Sequence, residues 1–298
     1  MTLARDVAGL QAQLAQLRSA GARVGLVPTM GAIHDGHLSL VQHARQQCDA
    51  VVVSIFVNPR QFDEAADLLA YPRCEERDAQ LLAAAGVDVL FAPDAQEIYP
   101  HGFATSVDAG AIAERFEGAV RGRAHFAGVA TVVLKLLNIC APDVLYLGRK
   151  DAQQVAVIKR MVRDLNLPVE VAVVPTVREA DGLARSSRNA RLSTAERARA
   201  AAIPAALQRA ARLVQDGEAD GAALTGSVRA QLAGEGITPD YCALVSPEQF
   251  LELSRLEGDA LLIVAARIGR TRLIDNIELA PVAPARAPLP AEEALCSA

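Results

Sequence analysis

Short aliphatic runs alternate with helix-patterned segments through the first half of the chain, and this alternation limits the fold more than any other feature. Residues 50–57, rich in β-branched side chains, read as a strand buried on both faces. A strand covered on both sides belongs in a parallel sheet flanked by helices. Further strands are expected at 23–29, 88–92, 144–147 and 169–174, with helices at 36–47, 75–85, 129–140 and 151–164. The expected class is α/β, a Rossmann-like doubly wound parallel sheet. After residue 189 the pattern changes to an Ala- and Arg-rich helix over 194–215, kinked or interrupted at Pro204. A helix over 222–233 and strands at 240–245, 260–266 and 271–277 complete a smaller C-terminal α+β domain. The boundaries read as 1–185 and 186–282, and the Pro- and Ala-rich tail 283–298 is expected to fray.

Composition narrows the function classes. A chain of 298 residues suits two domains, and 51% hydrophobic with 22% charged residues describes a globular protein with an aliphatic core. The formal net charge of −5 argues against a nucleic-acid partner, so any anion site must be local. Cys48, Cys74, Cys140, Cys242 and Cys296 are odd in number and contain no Cys-x-x-Cys pair, as expected of reduced thiols. The start of the chain lacks a basic region followed by an apolar run. No stretch of about 18 residues escapes charged or polar breaks, so a cytoplasmic protein without a membrane partner is expected.

A doubly wound sheet binds ligands at the carboxyl ends of its strands. Polar clusters fall at four such ends: 28–37, 58–62, 148–151 and 175–189. The first reads Val-Pro-Thr-Met-Gly-Ala-Ile-His-Asp-Gly-His over 27–37 and carries His34 and His37 into a helix start, three residues apart and on one face. Gly31 and Gly36 allow close backbone approach, and the free N–H groups of a helix start attract anions. Such a turn can hold a triphosphate and neutralise charge as its α-phosphorus is attacked. No Gly-x-x-x-x-Gly-Lys-Ser/Thr loop or Gly-x-Gly-x-x-Gly fingerprint occurs, so ATP would be held without a Walker loop. A metal reading of the two histidines needs a third converging ligand, and His-Glu-x-x-His is absent. Taken singly, Lys150, Asp151, Gln154, Arg178, Arg185 and Arg188 read equally well as solvated loop groups. Asn58 reads as structural, because Pro59 holds it extended and ends the strand.

Together these segments resemble the pantothenate synthetase (pantoate–β-alanine ligase) family. The matching stretches lie at 27–37, at 54–62 (Ser-Ile-Phe-Val-Asn-Pro-Arg-Gln-Phe), at 71–73 (Tyr-Pro-Arg), at 128–133, at 148–154 (Gly-Arg-Lys-Asp-Ala-Gln-Gln), at 178–189 and at 271–276. The resemblance implies a Rossmann-like fold of the His-x-Gly-His nucleotidyltransferase type and a two-step reaction. ATP and pantoate give pantoyl adenylate and pyrophosphate, and β-alanine then gives pantothenate and AMP. It implies ATP binding by Met30, Gly31, Ala32, Ile33, His34, Asp35, Gly36 and His37, by Gly148, Arg149, Lys150 and Asp151, and by Val177, Arg185, Ser186, Ser187 and Arg188. His34, His37, Lys150 and Arg188 are the implied catalytic groups, with His37 as the acid for the departing pyrophosphate. Gln61 is implied for pantoate and β-alanine, Gln154 for pantoate, Asp78 near Mg²⁺, and the assembly as a homodimer with the second domain as a lid.

The chain departs from that pattern in three places. Arg185 stands where Met or Leu is common, so its stem either covers the base or points to solvent. The 117–125 segment carries one extra residue, and Arg149 replaces a common Glu. Two other functions remain open to a sequence of this kind: a nucleotidyltransferase acting on another substrate, or a nucleotide-binding homologue without turnover.

Overall fold

The computed structural model describes residues 1–62 and 65–282, so the 283–298 tail, with Cys296, lies outside the described residues. In chain order the larger part runs β1 (Thr2–Ala4), α1 (Val7–Ser19), β2 (Val24–Thr29), α2 (Asp35–Gln47), β3 (Ala50–Ile55), α3 (Ala65–Ala70), α4 (Glu75–Ala84) and β4 (Val89–Phe91). It continues with α5 (Ala95–Ile98), α6 (Glu117–Arg121), α7 (Arg123–Cys140), β5 (Val144–Gly148), α8 (Ala152–Asp164) and β6 (Glu170–Val174). The smaller part contains α9 (Thr194–Ala200), α10 (Ala202–Gln215), α11 (Gly221–Gly234), β7 (Pro239–Val245), β8 (Ala260–Ile268) and β9 (Thr271–Leu279).

Six parallel strands form the main sheet in the order β1-β4-β3-β2-β5-β6. From β2 the chain winds to β3 and β4 on one side, then crosses to β5 and β6 on the other, so the order reverses between β2 and β5. These two strands pair only at Gly25–Val144 and Leu26–Leu145, whereas β2 stays paired to β3 as far as Thr29–Ile55. The unpaired ends of β2 and β5 leave a crevice at the switch point, where this class of sheet takes its ligands. Val24, Leu26, Val27 and residues 50–53 have no exposed surface, as helices on both faces require.

Several elements differ from the sequence reading. The edge strand β1 and helix α1 were not expected. A three-residue strand carries almost no pattern, and α1 buries only Leu10 and Leu14 fully. Helix α7 begins at Arg123 rather than 129, after Gly122 turns the chain at φ +79. The single helix expected over 194–215 is two helices broken at Ala201. Pro204 is the third residue of α10, in a first turn whose N–H groups lack intrahelical partners, so it breaks no bond.

Helix α7 is long and apolar enough to cross a bilayer by length and composition alone, and it carries the charged and polar breaks Arg123, Lys135 and Asn138. The fold uses it as a core helix that buries Phe126, Val129, Ala130, Val132 and Val133. Gly128 faces the tight turn Pro59–Gln61, where a Cβ would stand 2.2 Å from the Arg60 carbonyl oxygen. Asn58 fixes the same contact, donating from Nδ2 to the Gly128 carbonyl at 3.1 Å.

Strands β7, β8 and β9 form an antiparallel sheet buried on both faces. Alternate residues divide between two cores: Leu261 and Ile263 join the large-domain core, while Leu262 and Val264 pack with α10 and α11. A polar joint reinforces this contact. Buried Glu117 of α6 accepts from Tyr241 Oη at 2.9 Å and pairs with Arg272 at 2.7 Å, and Arg272 also holds Asp240 at 2.6 Å. Burial opposes the Glu117 charge, yet Arg272 and Arg121 hold its carboxyl below the ordinary range. Cys48, Cys140 and Cys242 are buried and Cys74 exposed, all as free thiols.

Gly128→Ala is expected to destabilise the protein by about 2 kcal/mol or more, since a methyl group cannot enter that backbone contact without shifting α7. Denaturant unfolding measures the loss, and an unchanged midpoint would mean that α7 is free to move away from the turn.

Candidate active site

The turn after β2 sets the floor of the crevice. Thr29 Oγ1 donates to the Ser54 carbonyl at 2.7 Å and accepts from the Gly31 N–H at 3.1 Å. Gly31 and Ala32 then take left-handed conformations, with φ of +83 and +52. This places their following amides against Asp78, a buried residue in the first turn of α4. Its Oδ2 accepts from the Ala32 N–H at 2.7 Å and its Oδ1 from the Ile33 N–H at 2.9 Å. The Asp78 carboxylate, expected beside Mg²⁺, is thus directed at the backbone of the turn.

His34 caps α2. Its Nδ1 accepts from the Gly36 N–H at 3.1 Å, which leaves Nε2 to carry the ring proton. The His37 ring stacks on it, centroids 4.1 Å apart and planes 15° apart. Burial, followed by the fields of His34 and Lys150, lowers His37 to about 3; burial, then Lys150 and Arg185, lowers His34. At neutral pH both rings are therefore neutral donors, and His37 enters the site without the extra proton that an acid role requires. His37 Nδ1 is buried with no hydrogen-bond partner.

Two adjoining cavities share Met30, His34, His37, Gln61, Tyr71, Lys150, Asp151 and Gln154 on their walls. The smaller, of about 230 Å³, extends toward Gly36, Gly148, Pro175, Thr176, Val177 and Arg185. The larger, of about 660 Å³, extends toward Gly31, Ala32, Arg121, Ser186, Ser187 and Arg188. Most residues singled out in the sequence therefore meet in one cleft. Ile33 does not, since it is 2% exposed and packs in the core beneath the turn. Arg149 turns away to Glu278, and Asp35 reaches Arg185 at 3.2 Å.

Neighbouring elements fix the polar groups of the cleft. Gln61 sits on the Pro59–Gln61 turn with Oε1 accepting from Asn58 at 3.0 Å and Nε2 2.9 Å from Met30 Sδ. The Gln61 carbonyl lies 2.8 Å from His125 Nδ1. Lys150 lies on a short turn, Arg149–Asp151, whose Arg149 and Lys150 carbonyls both accept from Asn276 Nδ2 at 3.0 Å. The adjacent Asp275 is bidentate to Arg178, at 2.7 and 3.1 Å. The 271–276 motif thus ties β9 to two of the four strand-end loops. Ser186 caps the next turn by accepting from the Arg188 N–H at 3.3 Å. Burial and nearby Arg121 both lower the Arg188 pKa. Arg185 neither lies free in solvent nor contributes only its stem, because its guanidinium reaches Asp35 at 3.2 Å and Glu179 at 3.3 Å.

Sequence reasoning gave no role to several residues that shape the cleft. Tyr71 lines both cavities, and its signal was the Tyr-Pro-Arg stretch at 71–73. Arg121 and His125 line the larger cavity from the 117–125 segment. Asn276 acts through backbone carbonyls, which no motif displays.

A histidine in the unfolded chain takes up its proton near pH 6.5, whereas folded His37 stays neutral down to about pH 3. Its contribution to stability is full above pH 6.5 and is lost as pH falls from there toward 3, because only the unfolded state gains the proton. Between pH 6 and 4 the protein is expected to lose up to about 1.4 kcal/mol per pH unit more than His37→Gln does. Denaturant unfolding at each pH gives the two slopes, and equal slopes would mean that the ring titrates as if exposed.

A family model described as pantoate-beta-alanine ligase matches residues 2–278. The pantothenate synthetase of Cereibacter sphaeroides is 51% identical over 92% of this chain and 98% of its own, and that of Rhizorhabdus wittichii is 51% identical over 94% and 99%. The crystal structure of pantothenate synthetase from Thermus thermophilus superposes with a TM-score of 0.88 at 47% identity, covering 94% of this chain and all of the other. The Francisella tularensis pantoate-beta-alanine ligase, a complex with beta-gamma ATP and beta-alanine, gives 0.76 at 36% identity over 93% and 97%. The strand order, the cleft at the switch point and these matches agree, and the chain belongs to the pantoate-β-alanine ligase family.

Proposed function

We propose that the protein condenses pantoate with β-alanine at the expense of ATP, through a pantoyl adenylate, releasing pyrophosphate and AMP. The observation that carries this reading is the meeting of His34, His37, Gln61, Lys150 and Gln154 around one cleft at the switch point of a family member. ATP occupies the crevice with its phosphates against the start of α2. The nucleoside runs along the smaller cavity past Val177, and Ser186, Ser187 and Arg188 clamp the phosphates from the far side. Neutral His34 and His37 donate hydrogen bonds to the phosphate oxygens, and the incoming negative charge raises their affinity for protons.

In the first step a pantoate carboxylate oxygen, oriented by Gln61 and Gln154, attacks the α-phosphorus and pyrophosphate leaves. Lys150 and Arg188 balance the charge that accumulates on the departing group. In the second, the β-alanine amine attacks the acyl carbon, AMP departs with the former carboxylate oxygen, and the amine gives up a proton. The amides of Gln61 and Gln154 orient hydroxyl and carboxylate groups without competing as nucleophiles. Both steps depend on alignment and on keeping water from a mixed anhydride, which the packed small domain favours.

Among the described residues no three His, Cys, Asp or Glu side chains converge on a metal position. Asp78 is engaged with backbone amides, leaving Asp151 as a carboxylate on the shared cavity wall. This donor set fits an Mg²⁺ ion carried mainly by phosphate oxygens and water, where it would neutralise phosphate charge. We also propose a cytoplasmic homodimer formed through the larger domain, which light scattering of the purified protein tests.

Pyrophosphate release with ATP, Mg²⁺ and pantoate, followed by β-alanine-dependent pantothenate and AMP, is the expected result. ATP binding without pantoate-dependent release would overturn the ligase reading. His37→Ala is expected to slow single-turnover adenylation about a hundredfold or more, and a near-normal rate would remove His37 from the chemistry. Gln61→Ala is expected to raise the pantoate KM while sparing ATP affinity; an unchanged pantoate KM would place Gln61 outside the substrate contacts.

A further inference from the structure

Asn58, 1% exposed, uses every hydrogen-bonding position of its side chain. Its Oδ1 accepts from the Arg60 N–H at 3.2 Å and from Tyr99 Oη at 2.9 Å. Its Nδ2 donates to the Gly128 carbonyl at 3.1 Å and to Gln61 Oε1 at 3.0 Å. The two backbone partners fix the sense of this network. An N–H can only donate and a carbonyl can only accept, so the Asn58 amide has one permitted orientation. The Tyr99 hydroxyl must then be a donor. Gln61 in turn must give its oxygen to Asn58, which leaves its Nε2 donors on the side of Met30 and the cleft.

Tyr99 follows α5, 41 residues from Asn58, and lines neither cavity. Its ring packs against Phe103 and Phe56, with centroids 5.1 and 6.0 Å away, and the Arg60 guanidinium stands 5.5 Å over it. Burial pushes the phenol up to about 12, so it keeps its proton across the neutral range. A glutamine side chain has three rotatable bonds, and holding it in one pose costs entropy that its partners must offset. The Asn58 bond fixes the oxygen end of Gln61, and a donor on Asn58 Oδ1 polarises that amide and strengthens the bond it gives. Resting on the reading that Gln61 holds pantoate, we infer that Tyr99 is a positioning residue for that substrate: its hydroxyl locks Asn58, and Asn58 holds the Gln61 amide with its N–H donors toward the cleft.

Steady-state kinetics and calorimetric ATP titration of the full chain test this with Tyr99→Phe, which keeps the ring among Phe56, Phe103 and Arg60 and removes only the hydroxyl. The pantoate KM is expected to rise about three- to tenfold, the range for one buried neutral hydrogen bond, with a smaller effect on kcat and none on ATP affinity. The decisive measurement is the same substitution made in Gln61→Ala. A residue that acts through Gln61 then has nothing left to position, so the double variant is expected to match Gln61→Ala alone in pantoate KM. Additive losses would overturn the inference, because Tyr99 would be acting on the cleft by another route. So would an equal loss of ATP and pantoate affinity, the mark of a general loosening. If Gln61→Ala raises the pantoate KM and Tyr99→Phe does not, only the role of Tyr99 falls. If Gln61→Ala itself leaves that KM unchanged, the reading of Gln61 fails and the inference with it.

Discussion

The buried Asp78 carboxylate, accepting the Ala32 and Ile33 amides, is the interaction on which the site depends. A non-glycine residue in the left-handed region costs on the order of 1 kcal/mol, and Ala32 adopts it at φ +52. Two hydrogen bonds to a buried charged acceptor offset that strain and keep the turn in one conformation. The turn in turn fixes where α2 begins, and the start of α2 decides where His34 and His37 stack. Gly31 is needed at the same point for a different reason, because a Cβ there would press on Asp78 at 3.1 Å and Ile55 at 3.2 Å.

A second constraint comes from the far end of the chain. The smaller domain does not rest on the larger one as a loosely attached cover. Its sheet shares side chains with the large-domain core, Glu117 and Arg272 form a buried ionic joint, and Asn276 holds the two carbonyls of the Lys150 turn. A buried ion pair adds little net stability but is costly to break one partner at a time. The joint therefore fixes the relative position of the domains more than it strengthens either.

The sequence displayed what is local and repeated. Strands β2 and β3 were legible because burial on both faces makes them continuous aliphatic runs, and the polar groups at their ends were legible because the sheet collects them on one edge. Contacts between distant segments were not. Asp78 lies 46 residues from Ala32, and nothing in α4 distinguishes a carboxylate that receives amides from one that would meet a metal. Ile33 sits inside the most informative motif yet turns into the core, because a tight turn sends successive side chains in different directions. Helix α1 went unseen because it covers the sheet edge with few buried residues, and the break at Ala201 because alanine, the strongest helix former, gives no stop signal. For Arg185 the chemistry of the residue was plain and its setting was not, since one of its two partners, Asp35, comes from a distant segment.

The clamp by Asn276 also bears on how the protein is made. The Lys150 turn emerges from synthesis 126 residues before the side chain that holds its carbonyl. A nascent chain can complete the sheet, the His34 cap and the Gln61 turn while the lysine side of the cleft still lacks its support. The lysine side of the cleft is thus completed only when β9 enters its sheet.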